Sequence, residues 1–124
     1  MSDLVGLFLE RAAAAGCRTD SDAAQLPDAQ VVRAAYGIAE TGSVVFVPTP
    51  AQPRSAWLDA EVLIVELERE RILGDLEALF DAIGPEPPSA VAVVTGPSRT
   101  ADIEQTLVVG VHGPRELHIV LARG

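Results

Sequence analysis

The 124-residue sequence predicts an α/β domain with a mostly parallel sheet, and three observations point there. Short apolar runs at Val44–Val47, Val62–Leu67, Ala90–Thr95 and Leu117–Leu121 have the length of strands, the first of them suited to burial on both faces. Apolar residues recur at helical spacing in Asp3–Ala15 and in Glu70–Ile83. The second of these helices lies between two strand-like runs. That is the sequence form of a strand–helix–strand crossover, which requires parallel pairing and a right-handed connection.

In the first helix Ser2 is available as N-cap, Leu4, Leu7, Phe8 and Ala12 recur at three- and four-residue intervals, and Gly16 is the stop. Residues 17–28, CRTDSDAAQLPD, read as a polar connector with room for one helical turn after Asp20. Val31-Val32 reads as a short strand. From Ala34 to Val47 the chain reverses about Glu40-Thr41-Gly42-Ser43, where Gly42 supplies a positive φ. Pro48, Pro50 and Pro53 end the following strand, because proline lacks the amide donor that a sheet ladder needs. Ile72, Leu73, Leu76, Leu79, Phe80 and Ile83 fall on one face of the helix Glu70–Ile83, and Gly84-Pro85 terminates it. PEPPS leads into Ala90–Thr95. After Gly96-Pro97 a short helix is expected near Thr100, with Asp102 and Glu104 in its first turn at the positive end of the dipole. Leu107–Val111 fits helix and strand patterns equally. Leu117–Leu121 is the last buried strand.

The length suits one domain over residues 1–124, with an N-terminal helix and connector over 1–30 and the remaining core over 31–123. Hydrophobic residues at 48% and charged residues at 22% are ordinary globular usage. Aromatics make up only 4%, so Val, Leu, Ile and Ala must build the core. A formal charge of −9 repels phosphate backbones and anionic lipid, which disfavours nucleic-acid and membrane-surface roles. Every basic residue is Arg, so no lysine is present for Schiff-base chemistry. Cys17 alone can form no internal disulfide and cannot hold an iron–sulfur cluster. The N-terminus has neither a basic start nor a spanning apolar run, and the expectation is a soluble cytoplasmic protein.

Ligands of open α/β sheets bind beyond the carboxyl ends of strands, where Thr95–Thr100 is expected to lie. Ser98, Arg99 and Thr100, beside amides at a helix start, are suited to a carboxylate or phosphate; a structural network of Arg99 with Asp102 and Glu104 fits the same residues. His112, before Gly113-Pro114, suits a general acid or base, or a turn-stabilising imidazole. His118, within the last strand, reads as structural. Glu40 at the hairpin tip is either a base or nucleophile activated by burial, or a turn-forming acid. Arg54 either reaches the same cleft or solvates its loop. Neither GxGxxG nor GxxxxGK[ST] occurs, and the two histidines do not make a metal signature.

AETGS at Ala39–Ser43, the PxxPR segment ending at Arg54, TGPSRTADIEQTLVVGVHGP at Thr95–Pro114 and ELHIVLA at Glu116–Ala122 together resemble the lactate-utilisation protein C family, the LUD domain. The resemblance implies a three-layer αβα sandwich with a mainly parallel sheet, similar to the sugar-phosphate isomerase and CoA-transferase group. It also implies a part in oxidising L-lactate to pyruvate beside partner subunits that carry the iron–sulfur clusters, with no cofactor in this chain. The motif positions are Glu40, Thr41, Gly42, Arg54, Ser98, Arg99, Thr100, Asp102, Glu104, His112 and Gly113. From these come candidate catalytic residues Glu40, Asp102 and His112, and candidate substrate-binding residues Thr41, Arg54, Ser98, Arg99, Thr100 and Glu104. The family usually has a longer N-terminal region, and a proline and histidine where this chain has WLDAEVLIV at Trp57–Val65. Three roles therefore stay open: an accessory subunit of lactate oxidation, a stand-alone small-carboxylate or CoA-ester enzyme, and an interaction module. Monomer and homodimer are both compatible with the acidic surface.

Overall fold

A computed structural model describes residues 3–19, 26, 28–53, 55–58, 60–84, 91–97, 100–102 and 114–122. The elements run in the order α1 (Asp3–Ala14), β1 (Gln30–Arg33), β2 (Tyr36–Ile38), β3 (Ser43–Phe46), α2 (Ser55–Leu58), β4 (Val62–Glu68), β5 (Ile72–Leu73), α3 (Leu76–Ile83), β6 (Ala92–Val94), β7 (Thr100–Asp102) and β8 (Glu116–Ala122). The α/β class is as expected, and parallel register pairs outnumber antiparallel ones. Instead of one sheet, the described strands form two. A three-stranded sheet, β1-β4-β8, is wholly parallel; a five-stranded sheet, β5-β2-β3-β6-β7, is antiparallel except where β2 meets β5.

The main core lies between the sheets. Leu63, Val65 and Leu67 of β4, Leu117 and Ile119 of β8, Val44 and Phe46 of β3, and Ala92 and Val94 of β6 share it with Phe8 and Ala12 of α1. Strict two-residue alternation sends Val45 and Ile38 to the opposite face of the second sheet, where they pack on Leu79 of α3. Both faces of β3 are thus covered, which explains its uninterrupted apolar run. Trp57 of α2 closes one end of the core, stacked on Phe46 with ring centroids 4.5 Å apart. Its Nε1 is a buried donor without a partner among the described residues.

Local chemistry accounts for α1, the 36–46 hairpin, β4 and β8, which all lie where the sequence predicts. Three expectations need correction. The helix expected over Glu70–Ile83 starts at Leu76: Arg69–Arg71 form a 3₁₀ turn, Ile72–Leu73 pair in parallel with Gly37–Ile38, and Asp75 caps the helix by accepting from the Ala78 amide at 2.9 Å. Both states fit the apolar spacing, and the cap with the β2 ladder decides between them. The expected parallel crossover from β4 to β6 is absent, because β6 pairs antiparallel with β3 in the other sheet. Residues Thr100–Asp102, expected at a helix start, are instead β7, antiparallel to β6, so Asp102 lies on a strand and not in the first turn of a helix. No helix among the described residues is long and apolar enough to cross a membrane.

Candidate functional site

Two hairpin turns meet at one end of the five-stranded sheet. The β2–β3 turn runs through Glu40-Thr41-Gly42, and Thr95 begins the link from β6 to β7, which pairs Val94 with Thr100. Because β3 and β6 are neighbours, these two motif segments lie side by side even though about half the chain separates them in sequence. Their common support is the carboxyl end of α1.

Glycine makes that support possible. Gly42 has φ +71°, and a Cβ there would run into the backbone of Arg11 and Ala12; Gly96 has φ +77°, and a Cβ there would strike the carbonyl oxygen of Ala15. Each Thr-Gly pair thus presses backbone on backbone, a separation that no other residue permits. Arg11 Nη1 donates to the Glu40 carbonyl at 2.8 Å, and the Gly42 amide closes the turn on Ile38. Cys17, just past the helix, is buried against the second turn; burial raises its thiol from 9.0 to about 11, against a smaller lowering from the Gly96 amide that donates to it. The thiol is therefore protonated and inert at neutral pH.

Three hydroxyls bridge the turns. Thr41 Oγ1 lies 2.6 Å from Ser43 Oγ, and Ser43 Oγ lies 2.6 Å from Thr95 Oγ1. Ser43 is 1% exposed, so its hydroxyl serves the chain and not solvent. Three O–H donors share two bonds, which leaves one donor of the chain to spare whichever way the protons point. When the protons run head to tail the spare donor is Thr41 or Thr95, and a carboxylate, phosphate or hydroxyl oxygen at that end is the natural acceptor.

Of the residues singled out from sequence, Glu40 and Thr41 lie at this junction, Glu40 exposed and Thr41 in the hydroxyl chain. Thr100 and Asp102 belong to β7, Thr100 at the same end of the sheet and Asp102 opposite Ala92; their side chains lie outside the described residues. Arg54, Ser98, Arg99, Glu104 and His112 also lie outside them. His118 is buried on β8, with Nε2 3.1 Å from Glu116 Oε1. Sequence reasoning missed Ser43 and Thr95 as members of this hydroxyl chain. The repeated Thr-Gly pair, Thr41-Gly42 and Thr95-Gly96, was the available signal.

A second feature is a cleft of about 400 Å³ where the sheets part, lined by Arg33, Ala34, Ala35, Val47, Thr49, Gln52, Glu68 and Arg71. Gln52 spans its edge: its amide nitrogen donates to the Arg33 carbonyl at 2.8 Å and its oxygen accepts from the Arg33 amide at 2.9 Å, completing the ladder as a neighbouring strand would. No cluster of His, Cys, Asp and Glu among the described residues is arranged to hold a metal ion.

Residues 8–122 match the family model described as the LUD domain. The chain is 39% identical over 90 residues to the Escherichia coli K12 protein YkgG, covering 68% of this chain and 39% of that one. It is 36% identical over 90 residues to lactate utilization protein C of Bacillus subtilis 168, covering 68% and 38%. Against the Halalkalibacterium halodurans protein of the same name it is 34% identical over 105 residues, covering 79% and 46%. The chain therefore spans less than half the length of these relatives. Among solved structures, a DUF162 family protein from Deinococcus radiodurans is similar with a TM-score of 0.69 and 17% identity, covering 97% of this chain and 96% of that one. At that identity the likeness speaks for the fold.

Proposed function

The chain belongs to the LUD-domain family, and from that premise we propose that it serves L-lactate utilisation as an accessory subunit, acting with partner proteins that carry iron–sulfur clusters. The oxidation of L-lactate to pyruvate releases two electrons and two protons, and in this reading the electrons pass to the partners' clusters. This chain supplies the hydroxyl junction Thr41–Ser43–Thr95 and the motif segment that follows Thr95. The observation that carries the reading is the convergence of both Thr-Gly motif turns on the end of α1, joined through a buried Ser43. A spare hydroxyl donor there suits the carboxylate or the 2-hydroxyl of lactate, with Ser98, Arg99 and Thr100 as its companions in the same motif.

The test is reconstitution. L-lactate-dependent dye reduction by the iron–sulfur partners is measured with and without this chain, and with Ser43→Ala and Arg99→Ala. The expected result is that the rate depends on the chain and falls at least tenfold in both variants while their circular dichroism is unchanged. A rate indifferent to the chain overturns the reading. A second reading, an interaction module without a ligand, is favoured by the exposed apolar residues Leu76 and Phe80, one turn apart on α3. It predicts capture of the partners by Ser43→Ala as well as by the natural chain.

A further inference from the structure

The cleft between the sheets has a structural cause. β1 and β4 pair in parallel up to Arg33↔Glu66, and the same two chain segments pair again as β2 and β5 from Gly37↔Ile72. Between those points the run 67–71, with its 3₁₀ turn, stands opposite the shorter run 34–36, and the ladder opens. At the bend the Ala34 amide bonds to Glu66 in the first sheet and the Ala35 amide to Val45 in the second. The opening therefore lies beyond the carboxyl ends of two parallel strands, where α/β sheets take their ligands. Its floor of Ala34, Ala35 and Val47 is small and apolar, and its volume of about 400 Å³ falls in the range of small-molecule sites.

Two guanidiniums face this space from opposite segments. Arg71 is oriented by three contacts: Nη1 donates to the Ala35 carbonyl at 3.3 Å, Nε to Glu68 at 3.4 Å, and its guanidinium carbon lies 5.3 Å from the centre of the Tyr36 ring. Its Nη2 makes no hydrogen bond among the described residues. Arg33 meets Glu66 at 3.7 Å through one nitrogen. Both Arg–carboxylate contacts are exposed and longer than the roughly 2.7–2.9 Å of a strong charge-assisted bond, so an incoming oxyanion displaces little. The Thr49 hydroxyl, which accepts from the Gln52 amide at 3.0 Å, keeps its own proton to donate.

We propose that this cleft is a second ligand site, distinct from the hydroxyl junction, for an organic oxyanion: a carboxylate or phosphate head on Arg71 and Arg33 and a short carbon body over Ala34, Ala35 and Val47. It does not rest on the lactate-utilisation reading. The chain as it stands is titrated calorimetrically with L-lactate, citrate, glycerol 3-phosphate and inorganic phosphate, and backbone amide NMR shifts are followed at Ala34 and Ala35. The expected result is that one of the organic anions binds and moves those amides, that Arg71→Ala and Arg33→Ala each weaken it at least tenfold, and that Arg71→Lys does not restore it. Ala35→Leu, which fills the floor, should abolish binding with the fold retained. Ser43→Ala should leave the ligand-induced shifts at Ala34 and Ala35 unchanged. No binding by any probe at 10 mM, or binding indifferent to Arg71→Ala and Ala35→Leu, overturns the proposal. Binding lost in Ser43→Ala but kept in Arg71→Ala overturns it too while sustaining the junction as the site. Equal binding of inorganic phosphate and the organic anions removes the role given to the apolar floor.

Discussion

Gly42→Ala is the sharpest test of the junction at the end of α1. The substitution demands a left-handed backbone of an L-residue, which costs roughly 1–2 kcal/mol. The new methyl also has nowhere to go: Ala12 Cα would stand 2.6 Å away, where ordinary contact begins at 3.4 Å, and the other obstacles are backbone atoms of Arg11 and Ala12 that cannot rotate aside. The hairpin tip must withdraw by about 1 Å. Withdrawal strips the 2.8 Å bond from Arg11 to the Glu40 carbonyl, about 1 kcal/mol, and opens a gap beside Ala12, which is fully buried. With roughly 1–2 kcal/mol for that gap, the sum is roughly 3–5 kcal/mol, near the top of what single substitutions do. For a domain of this length that lowers Tm by roughly 10–20 °C. Gly6→Ala is the internal control. Gly6 is exposed within α1, with no other element within 4 Å of where a Cβ would sit, so alanine should stabilise by roughly 0.5–1 kcal/mol. Thermal and urea denaturation followed by circular dichroism read both. A Gly42→Ala protein within 1 kcal/mol of the natural chain would refute the packing of the turn on the helix.

Two further outcomes are expected. Gln52→Ala removes both bonds that complete the Arg33 edge and should cost about 1–2 kcal/mol in urea denaturation, with Gln52→Glu failing to rescue because a carboxylate cannot donate to the Arg33 carbonyl. Cys17 contributes a pH dependence: its folded pKa of about 11 lies above the ordinary 9.0, so the fold holds the proton more tightly than the unfolded chain. That stability is fully present below pH 9 and is lost as pH rises toward 11, by an amount on the order of 2–3 kcal/mol. Cys17→Ala should flatten this part of the stability curve, and native Cys17 should resist iodoacetamide at pH 8 until urea exposes it.

Elements decided by neighbours in sequence were legible in advance. Leu4, Leu7, Phe8 and Ala12 mark α1 by spacing alone, and the Glu40–Ser43 tip declares its hairpin through Gly42. Ile72 and Leu73 were not legible, since they continue the helical stripe of Leu76, Leu79 and Ile83 and become a strand only because Gly37 and Ile38 present a free ladder edge. Thr100–Asp102 is a similar case: acids after a Gly-Pro break suit a helix start, yet the open edge of β6 claims the segment. Of the candidate site, the motif residues Glu40 and Thr41 could be named from sequence, but the Ser43–Thr95 bridge could not, because it depends on β3 and β6 being neighbours.

By itself the sequence determined the α/β class, the apolar core, the hairpin at Gly42 and the family motifs, because each is written in local periodicity, turn chemistry or residue order. Only the tertiary structure decided the division into two sheets, the meeting of the two Thr-Gly turns on α1 and the cleft that brings Arg33 to face Arg71. The physical reason is that a strand carries unpaired amides and carbonyls along both edges, and its partner is whichever edge the completed core leaves within reach.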